Sequence, residues 1–389
     1  MSETATMEKA LLAAPAEPRN PTSAMVVQVA RDHGVSPLRQ FTEMMRLSRG
    51  ENGIGFHEYF AGQLYLPNLP RERKREFVGQ RGSNRLNERL SPLSVMQMAH
   101  LLDDKVLYPE LMARLGLPAT ETQAVVATPR HTGRIPRLRD GAAVESFLLN
   151  DARYPLFAKP VAGSRSVGSA FIAGVDGAAR RVMLGNGVEV ALDRFIDELL
   201  GDHHSGVVLQ SAVVQHPQMT ALAGPALGTL RLVTVADGAS APALLYALWK
   251  LPAPAAMSDN FWQPGSMIAL LDPADGTAGR CQRGTGPQAE ILREHPVSGK
   301  PVEGFRIPHW DAAVDLVCQG HAVFPEFGIL GWDIGMTADG PVIVECNTSP
   351  FHGLYQLASG RGVLNAEFRP VFERVFARHG AAAKARKAA

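Results

Sequence analysis

Gly331-Trp332-Asp333-Ile334-Gly335-Met336-Thr337-Ala338-Asp339-Gly340-Pro341-Val342-Ile343-Val344-Glu345-Cys346-Asn347 sets two alternating runs on either side of a turn rich in Asp and Gly. That pattern predicts a β-hairpin. Strand side chains alternate between faces, so Val342, Val344 and Cys346 are expected on one side and Ile343, Glu345 and Asn347 on the other. In the first run Trp332, Ile334 and Met336 share the apolar face. Asp333 is left between Gly331 and Gly335, with room for a ligand beside it. Folding about Asp339, six residues from each carboxylate, sets Asp333 opposite Glu345. Two carboxylates this close repel unless a proton or a cation intervenes. Mg2+ suits Asp333, Glu345 and Asn347, because it prefers oxygen ligands, keeps several waters and is completed by substrate phosphates. The competing reading is a solvent-facing strand with scattered polar residues.

The 389 residues, 46% hydrophobic and 20% charged, are enough for two or three globular units. A formal net charge of +1 argues against a dedicated nucleic-acid binder, whose footprint would be strongly basic. Three scattered cysteines, Cys281, Cys318 and Cys346, give neither a disulfide framework nor a metal knuckle, and a reducing, cytoplasmic compartment fits best. The most apolar segment, Ala241 to Met257, is broken by Lys250, Pro252 and Pro254. It reads as a core strand and loop, not a membrane span.

Residues 1–22 read as a disordered tail and residues 23–100 as a helical cap, with apolar stripes at Phe41, Met44 and Met45 and at Val95, Met98, Leu101 and Leu102. The cap's basic stretch from Arg71 to Arg75, followed by Arg81, Arg85 and Arg89, is either an anion-docking surface or a solvated helix face interrupted by Glu72, Glu76 and Glu88. Strands are expected at Leu156 to Lys159, Ala170 to Ala173, Val207 to Gln210, Leu230 to Val235, Ala243 to Leu248 and Met267 to Leu271. Helices are expected at about Ala312 to Val323 and Ala366 to Ala377, before a basic tail at 380–389. The mixture of strands, helices and Asp/Gly turns indicates an α+β arrangement.

A second informative segment runs from Phe157 to Ala170, a strand ending in Lys159 and followed by Gly163-Ser164-Arg165-Ser166-Val167-Gly168. The Gly163 to Gly168 spacing imitates a P-loop, but Ser169-Ala170 stand where Lys and Ser/Thr are required, so a P-loop is rejected. A hairpin loop whose backbone N–H groups hold phosphate, with Lys159 as the point charge below, remains; so does a plain flexible turn. A phosphate grip and a separate acidic site together are what a nucleoside triphosphate needs. Val207 to Val214 then offers a hinge for an adenine edge, or merely a buried strand.

These residues resemble the ATP-grasp superfamily. Ala158-Lys159-Pro160 and the loop from Gly163 to Gly168 are similar to the lysine and Gly-rich loop of D-alanyl-D-alanine ligases, and Asp333, Glu345 and Asn347-Thr348-Ser349-Pro350 to their metal triad and following turn. The sugar-transfer associated branch is suggested by Leu209-Gln210, Gln215-His216-Pro217, Thr229-Leu230-Arg231, Asp259-Asn260 and the opening hairpin. The resemblance covers roughly residues 100 to 365. It implies two α+β subdomains clasping ATP, at 101–225 and 226–379, behind the helical cap. It also implies ATP with one or two Mg2+, or Mn2+, and a ligase that activates a small-molecule carboxylate as an acyl-phosphate for attack by an amine or other nucleophile. Asp333, Glu345 and Asn347 would hold the metal. Lys105, Lys159, Gly163, Ser164, Ser166, Gly168, Gln210 and Val213 would contact the nucleotide, and Arg231, Lys159 and Asn260 would serve the chemistry. Three departures stand out: Gly331 where many such ligases carry an arginine, Gln210 for the usual hinge glutamate, and Gly265-Ser266 for a glycine pair. A kinase acting on a sugar or hydroxyl and a non-catalytic nucleotide-binding accessory remain open. Oligomeric state is not legible, and Arg231 and Asn260 each have a purely structural alternative.

Overall fold

The computed structural model describes residues 10–11, 22–92, 98–162, 166–201, 205–238, 240–253 and 256–388. Two seven-stranded sheets carry the chain. The first contains β1 (Thr122–Val126), β2 (Arg137–Leu138), β3 (Leu156–Pro160), β4 (Ala170–Asp176), β5 (Arg181–Leu184), β6 (Glu189–Ala191) and β7 (Val207–Ser211), in the order β2-β1-β7-β3-β4-β5-β6. The second contains β8 (Leu230–Val235), β9 (Ala243–Leu251), β10 (Met267–Leu271), β11 (Ala278–Arg283), β12 (Glu290–Leu292), β13 (Ile329–Thr337) and β14 (Gly340–Asn347), in the order β12-β11-β10-β9-β8-β13-β14. Neighbours are antiparallel except β1 and β2. This is the α+β architecture the sequence indicates, and the six expected strands are all present.

Each sheet has its own core. Leu156, Ala158, Ile172, Leu209 and Phe195 centre the first. Trp249, Trp332, Ile334 and Met336 centre one face of the second, beneath the helix Trp310–Ala322. Below the opening hairpin a buried polar chain fixes Trp332. His321 Nε2 donates to the Phe327 carbonyl (2.9 Å), its Nδ1 accepts from Thr234 Oγ1 (2.7 Å), and Thr234 accepts from Trp332 Nε1 (2.9 Å). Burial holds this imidazole neutral, pushed down to about 4.

The cap consists of short helices, among them Thr22–His33, Pro37–Leu47, Phe56–Ala61 and Gln80–Leu90. Ser36 caps the second, with Pro37 at its first turn. That helix buries Gln40, Met44 and Leu47, whereas Phe41 is 53% exposed. The expected stripe was therefore rotated by one residue. Met98 is likewise partly exposed, Leu102 is buried, and Val95 lies outside the described residues. Part of the basic stretch is committed to the protein's own packing: Lys74 is buried against Glu43 (2.8 Å) and Arg73 pairs with Glu76 within the cap, and Arg89 stacks on Phe376 of the closing helix.

The last cap helix docks into the second sheet. Val78, Leu86 and Leu90 join the core that contains Tyr246, Leu354 and Phe372. Gln356 bonds both the N–H and the C=O of Val78, each at 2.7 Å. Near the N-terminus, Ala10 and Leu11, within the stretch expected to be disordered, are buried in the first sheet's core and donate their N–H groups to Glu198. The rest of residues 1–21 lies outside the described set. The closing helix runs Arg369–Ala388, three residues later at its start and well beyond the expected end. Among the described residues no helix is long and apolar enough to cross a membrane.

Candidate active site

The hairpin β13–β14 places Asp333 opposite Glu345, as the sequence indicates, but by a different route. The turn is Ala338-Asp339 between paired Thr337 and Gly340, a register that would bring Val344 opposite Asp333. A β-bulge between Asp333 and Ile334 absorbs Val344 and restores the carboxylate pair. The bulge also turns Ile343 over. It packs with Cys346 in the Trp332 core, contrary to the expected strict alternation, while Val344, Glu345 and Asn347 line the cleft.

Gly331 and Gly335 do not leave room for a ligand. A Cβ on Gly331 would lie 2.8 Å from Pro350 Cβ, and one on Gly335 2.7 Å from Val213 Cγ1. Protein fills both spaces. The arginine absent at 331 has no space there for the same reason.

Arg231, on β8, sits in register with Asp333 and grips it with two bonds, Nε to Oδ1 at 2.5 Å and an Nη to Oδ2 at 3.0 Å. Lys250 on β9 bonds Asp333 Oδ2 and Asp259 Oδ2, both at 3.0 Å. Asp259 in turn accepts from the Thr229 N–H (3.2 Å) and hydroxyl. Two cations and two anions thus form one buried, charge-balanced chain. Despite burial, Arg231 and Lys250 hold Asp333 ionised, well below the usual carboxylate range. Glu345 goes the other way, because burial and the adjacent Asp333 charge raise its carboxyl.

From the first sheet Lys159, at the end of β3, is 7% exposed and faces the same cleft. Burial pushes its ammonium down to about 8; Glu345 and Asp333 oppose the shift, and Lys105 adds to it. Lys105 follows Asp104, whose Oδ1 accepts the Val106 and Leu107 N–H groups (2.9 Å each) at the entry to the helix Leu107–Arg114. Ser166 lines the cleft, and Gly168 takes a left-handed backbone (φ 74°) in the β3–β4 loop. Gly163 and Ser164, like His203 and His204, lie outside the described residues.

Gln210 is buried, with its Nε2 on Thr122 Oγ1 (3.1 Å), and Val213 lines the cleft beside it. Asn260 Oδ1 accepts the Trp262 N–H at 3.1 Å, so this residue both shapes a turn and lines the cleft. His309 stands apart, next to His216 and bonded to the Ala338 carbonyl. The whole cleft measures about 2130 Å3. It gathers Lys105, Lys159, Ser166, Gln210, Val213, Arg231, Asn260, Asp333, Glu345 and Asn347.

Two features were missed in the sequence. Lys250 was visible only as an interruption of an apolar run, although one cation in a core strand is itself a signal. The cap's reach to the site was not visible at all. Asn87 Nδ2 donates to Ser349 Oγ (3.1 Å) and to the Pro350 carbonyl (3.0 Å), and its Oδ1 accepts from His352 Nε2 (2.9 Å). His352 Nδ1 accepts from the Tyr246 hydroxyl (2.9 Å), and burial keeps the ring neutral, down to about 3. This chain anchors the turn that follows Asn347.

The site offers a hard cation the right donors. Glu345 is a carboxylate raised by burial and by the adjacent Asp333 charge, which a cation would relieve, Asp333 lies across from it, and Asn347 on the same strand would contribute its amide oxygen. Among the described residues no group of three His, Cys, Asp or Glu could hold a metal.

The model of the sugar-transfer associated ATP-grasp family matches residues 85–369. The chain belongs to this family. No curated protein is similar enough in sequence to count as a match. Among solved structures this ATP-grasp chain is similar to the D-alanine-D-alanine ligase from Coxiella burnetii, at 12% identity and a TM-score of 0.41, over 80% of this chain and 69% of that one. It is also similar to the D-cycloserine synthetase DcsG, at 19% identity and TM-score 0.38, over 74% and 73%. A third is the ATP-grasp ligase PsnB, complexed with precursor peptide PsnA2 and AMPPNP, at 13% identity and TM-score 0.37 over 72% of this chain. The chain spans 59% of PsnB's length.

Proposed function

We propose that this protein is an ATP- and Mg2+-dependent ligase joining a carboxylate to an amine or related nucleophile. The observation that carries the reading is the convergence, in one cleft between two sheets, of Lys105 and Lys159 with the carboxylate pair Asp333 and Glu345. Phosphate needs the first pair and its counter-ion needs the second.

In this reading a substrate carboxylate oxygen attacks the γ-phosphorus, the bond to the β-phosphate oxygen breaks and ADP leaves. The nucleophile's nitrogen then forms a bond to the acyl carbon, phosphate departs with the C–O electron pair, and the nitrogen releases a proton. Lys105 and Lys159 bind phosphate oxygens, with Ser166 beside them on the cleft wall. Val213 and Gln210 border the base. Asp333, Glu345 and Asn347 would hold Mg2+, or Mn2+, which neutralises charge on the β- and γ-phosphates. Arg231 acts through Asp333, and Asn260 positions the acceptor-side turn. A second reading, phosphoryl transfer to a hydroxyl, is favoured by the filled space at Gly331 and by the commitment of Arg231 to Asp333, while Arg130, which also lines the cleft, is paired with Asp104.

Purified protein should release ADP and phosphate in equal amounts when supplied with Mg2+, ATP, a carboxylate and a nucleophile, and Glu345→Gln should abolish this. ADP without free phosphate, with the phosphoryl group on the acceptor, selects the second reading. Turnover retained in Glu345→Gln rejects the metal assignment.

A further inference from the structure

The cleft is divided by charge. Among its described lining residues every Lys and Arg, namely Lys105, Arg130, Lys159, Arg231 and Lys250, belongs to the sheets or the loops and helix ends beside them. The end walled by the cap has none. There the cap contributes His57, Glu58, Gln80 and Asn84, and Trp262 and Phe351 line the same cleft. Glu58 is already committed, since its two oxygens accept the Gly55 and Gln80 N–H groups at 2.6 Å each. Gln80 Nε2 donates to Asn84 Oδ1 (3.0 Å), which leaves the Gln80 carbonyl oxygen and the Asn84 amide hydrogens for a ligand. A hydroxyl group satisfies both kinds.

The lining is also aromatic. Trp262 is 38% exposed, whereas Trp249, Trp310 and Trp332 are each 5% exposed or less. Its ring lies 6.3 Å from that of Phe351 at 45°, forming an open corner. Both rings grow from the reacting end of the cleft. Trp262 is held through its N–H by Asn260, next to the Asp259–Lys250–Asp333 chain, and Phe351 follows the Asn347 turn that Asn87 anchors.

An acceptor bearing its own carboxylate or phosphate at this end would find no Lys or Arg among the described cap residues that line it, which is costly in a cleft. A saccharide ring suits it: its C–H faces lie on aromatic planes and its hydroxyls pair with neutral amides. We infer that the cap end of the cleft is the acceptor subsite and that it takes an uncharged saccharide ring bearing the attacking group. This rests on the ligase reading above. The ring's amine or hydroxyl forms the new bond to the acyl carbon, the bond from that carbon to phosphate breaks, and one proton is released.

The test is calorimetric titration of the full chain with methyl glucoside and N-acetylglucosamine, with a uridine-diphosphate-linked N-acetylglucosamine, and with a chitin trisaccharide. Each is run with and without Mg2+ and a non-hydrolysable ATP analogue, with D-alanine and L-glutamate as comparison. At least one uncharged saccharide is expected to bind and to quench tryptophan fluorescence, and the tighter of these arms identifies a free sugar or a glycan end as the source, whereas tightest binding of the uridine-diphosphate-linked sugar overturns the uncharged subsite. Trp262→Ala should weaken that saccharide about tenfold or more, Trp262→Phe by no more than about threefold, and neither should move the nucleotide Kd beyond about twofold. If Trp262→Ala does not fold, Asn84→Ala is held to the same saccharide-selective loss. Binding of the amino acids but of no saccharide, or equal loss of saccharide and nucleotide in Trp262→Ala, overturns the inference. Failure of the wild type to bind the nucleotide overturns the ligase reading instead, while the nucleotide-free titrations still judge the subsite.

Discussion

Asp333→Asn and Glu345→Gln each delete one charge from the same cross-strand pair, yet they should act on stability in different ways. Asp333 accepts three charge-assisted bonds, two from Arg231 and one from Lys250. Asparagine keeps one acceptor oxygen and turns an NH2 group toward a cation. Removing one partner from a buried ion cluster costs about 3–5 kcal/mol. At roughly 2–4 °C per kcal/mol for a large chain, the melting temperature should fall on the order of 10 °C. Glu345 is the reverse case, because its folded carboxyl is raised by burial and by Asp333. A raised carboxyl means that stability is fully present while the group is protonated and is lost as pH rises and it ionises. Glutamine removes that penalty, so Glu345→Gln should melt at or above the wild type at neutral pH, with the difference shrinking on acidification. Both substitutions should abolish Mg2+-dependent ADP formation. Differential scanning fluorimetry across pH, paired with a coupled ADP assay, reads both quantities. If Glu345→Gln melts as low as Asp333→Asn, the charge assignment of the pair is wrong.

Lys159 is cationic below about pH 8 and neutral above it, so the KM for Mg·ATP should stay low below that pH and climb beyond it. Lys159→Arg, charged throughout, should flatten the profile; a flat wild-type profile up to about pH 9 rejects the role. Gly331→Ala forces a methyl group against Pro350 and should cost about 1–3 kcal/mol in denaturant unfolding, so an unchanged midpoint would show that the turn after Asn347 gives way freely. Asn87→Leu leaves His352 and the Pro350 carbonyl without their partner, at about 1–3 kcal/mol. It should also raise the Mg2+ concentration for half-maximal rate with little change in the KM for ATP, and an unchanged Mg2+ requirement would break the link from cap to metal turn.

The central elements were legible because their chemistry is local. Met267–Leu271 is a continuous apolar run and Leu230–Val235 is an apolar, β-branched run interrupted only by Arg231 and Thr234, and the limits of both in the structure are those read from the sequence. The outer strands β5, β6, β11 and β12 were not read, being short or interrupted by Arg181, Glu189, Arg280 and Glu290, as suits strands half open to solvent. In the site, the facing of Asp333 and Glu345 was legible from spacing. The bulge that achieves it was not, since a two-residue turn plus one extra residue gives the same count as a turn centred on Asp339. Lys250 and Asn87 escaped for a different reason: beyond the nearby Asp259, Lys250 reaches Asp333, 83 residues on, and the partners of Asn87 lie 262 or more residues away, and local pattern carries no information on such pairings.

The contact of the cap helix with the metal turn also bears on how this protein can be cut. The family match begins at residue 85, within the helix Gln80–Leu90, and ends at Arg369, the first residue of the closing helix. A fragment with those ends would keep Asn87 on half a helix. It would discard Val78, leaving the Gln356 Nε2 without its acceptor and its Oε1 with only the Val363 N–H (3.3 Å), and would strip Phe372 and Val375 from the core that holds Tyr246. The smallest unit able to fold around its own chemistry therefore extends past the family's borders on both sides.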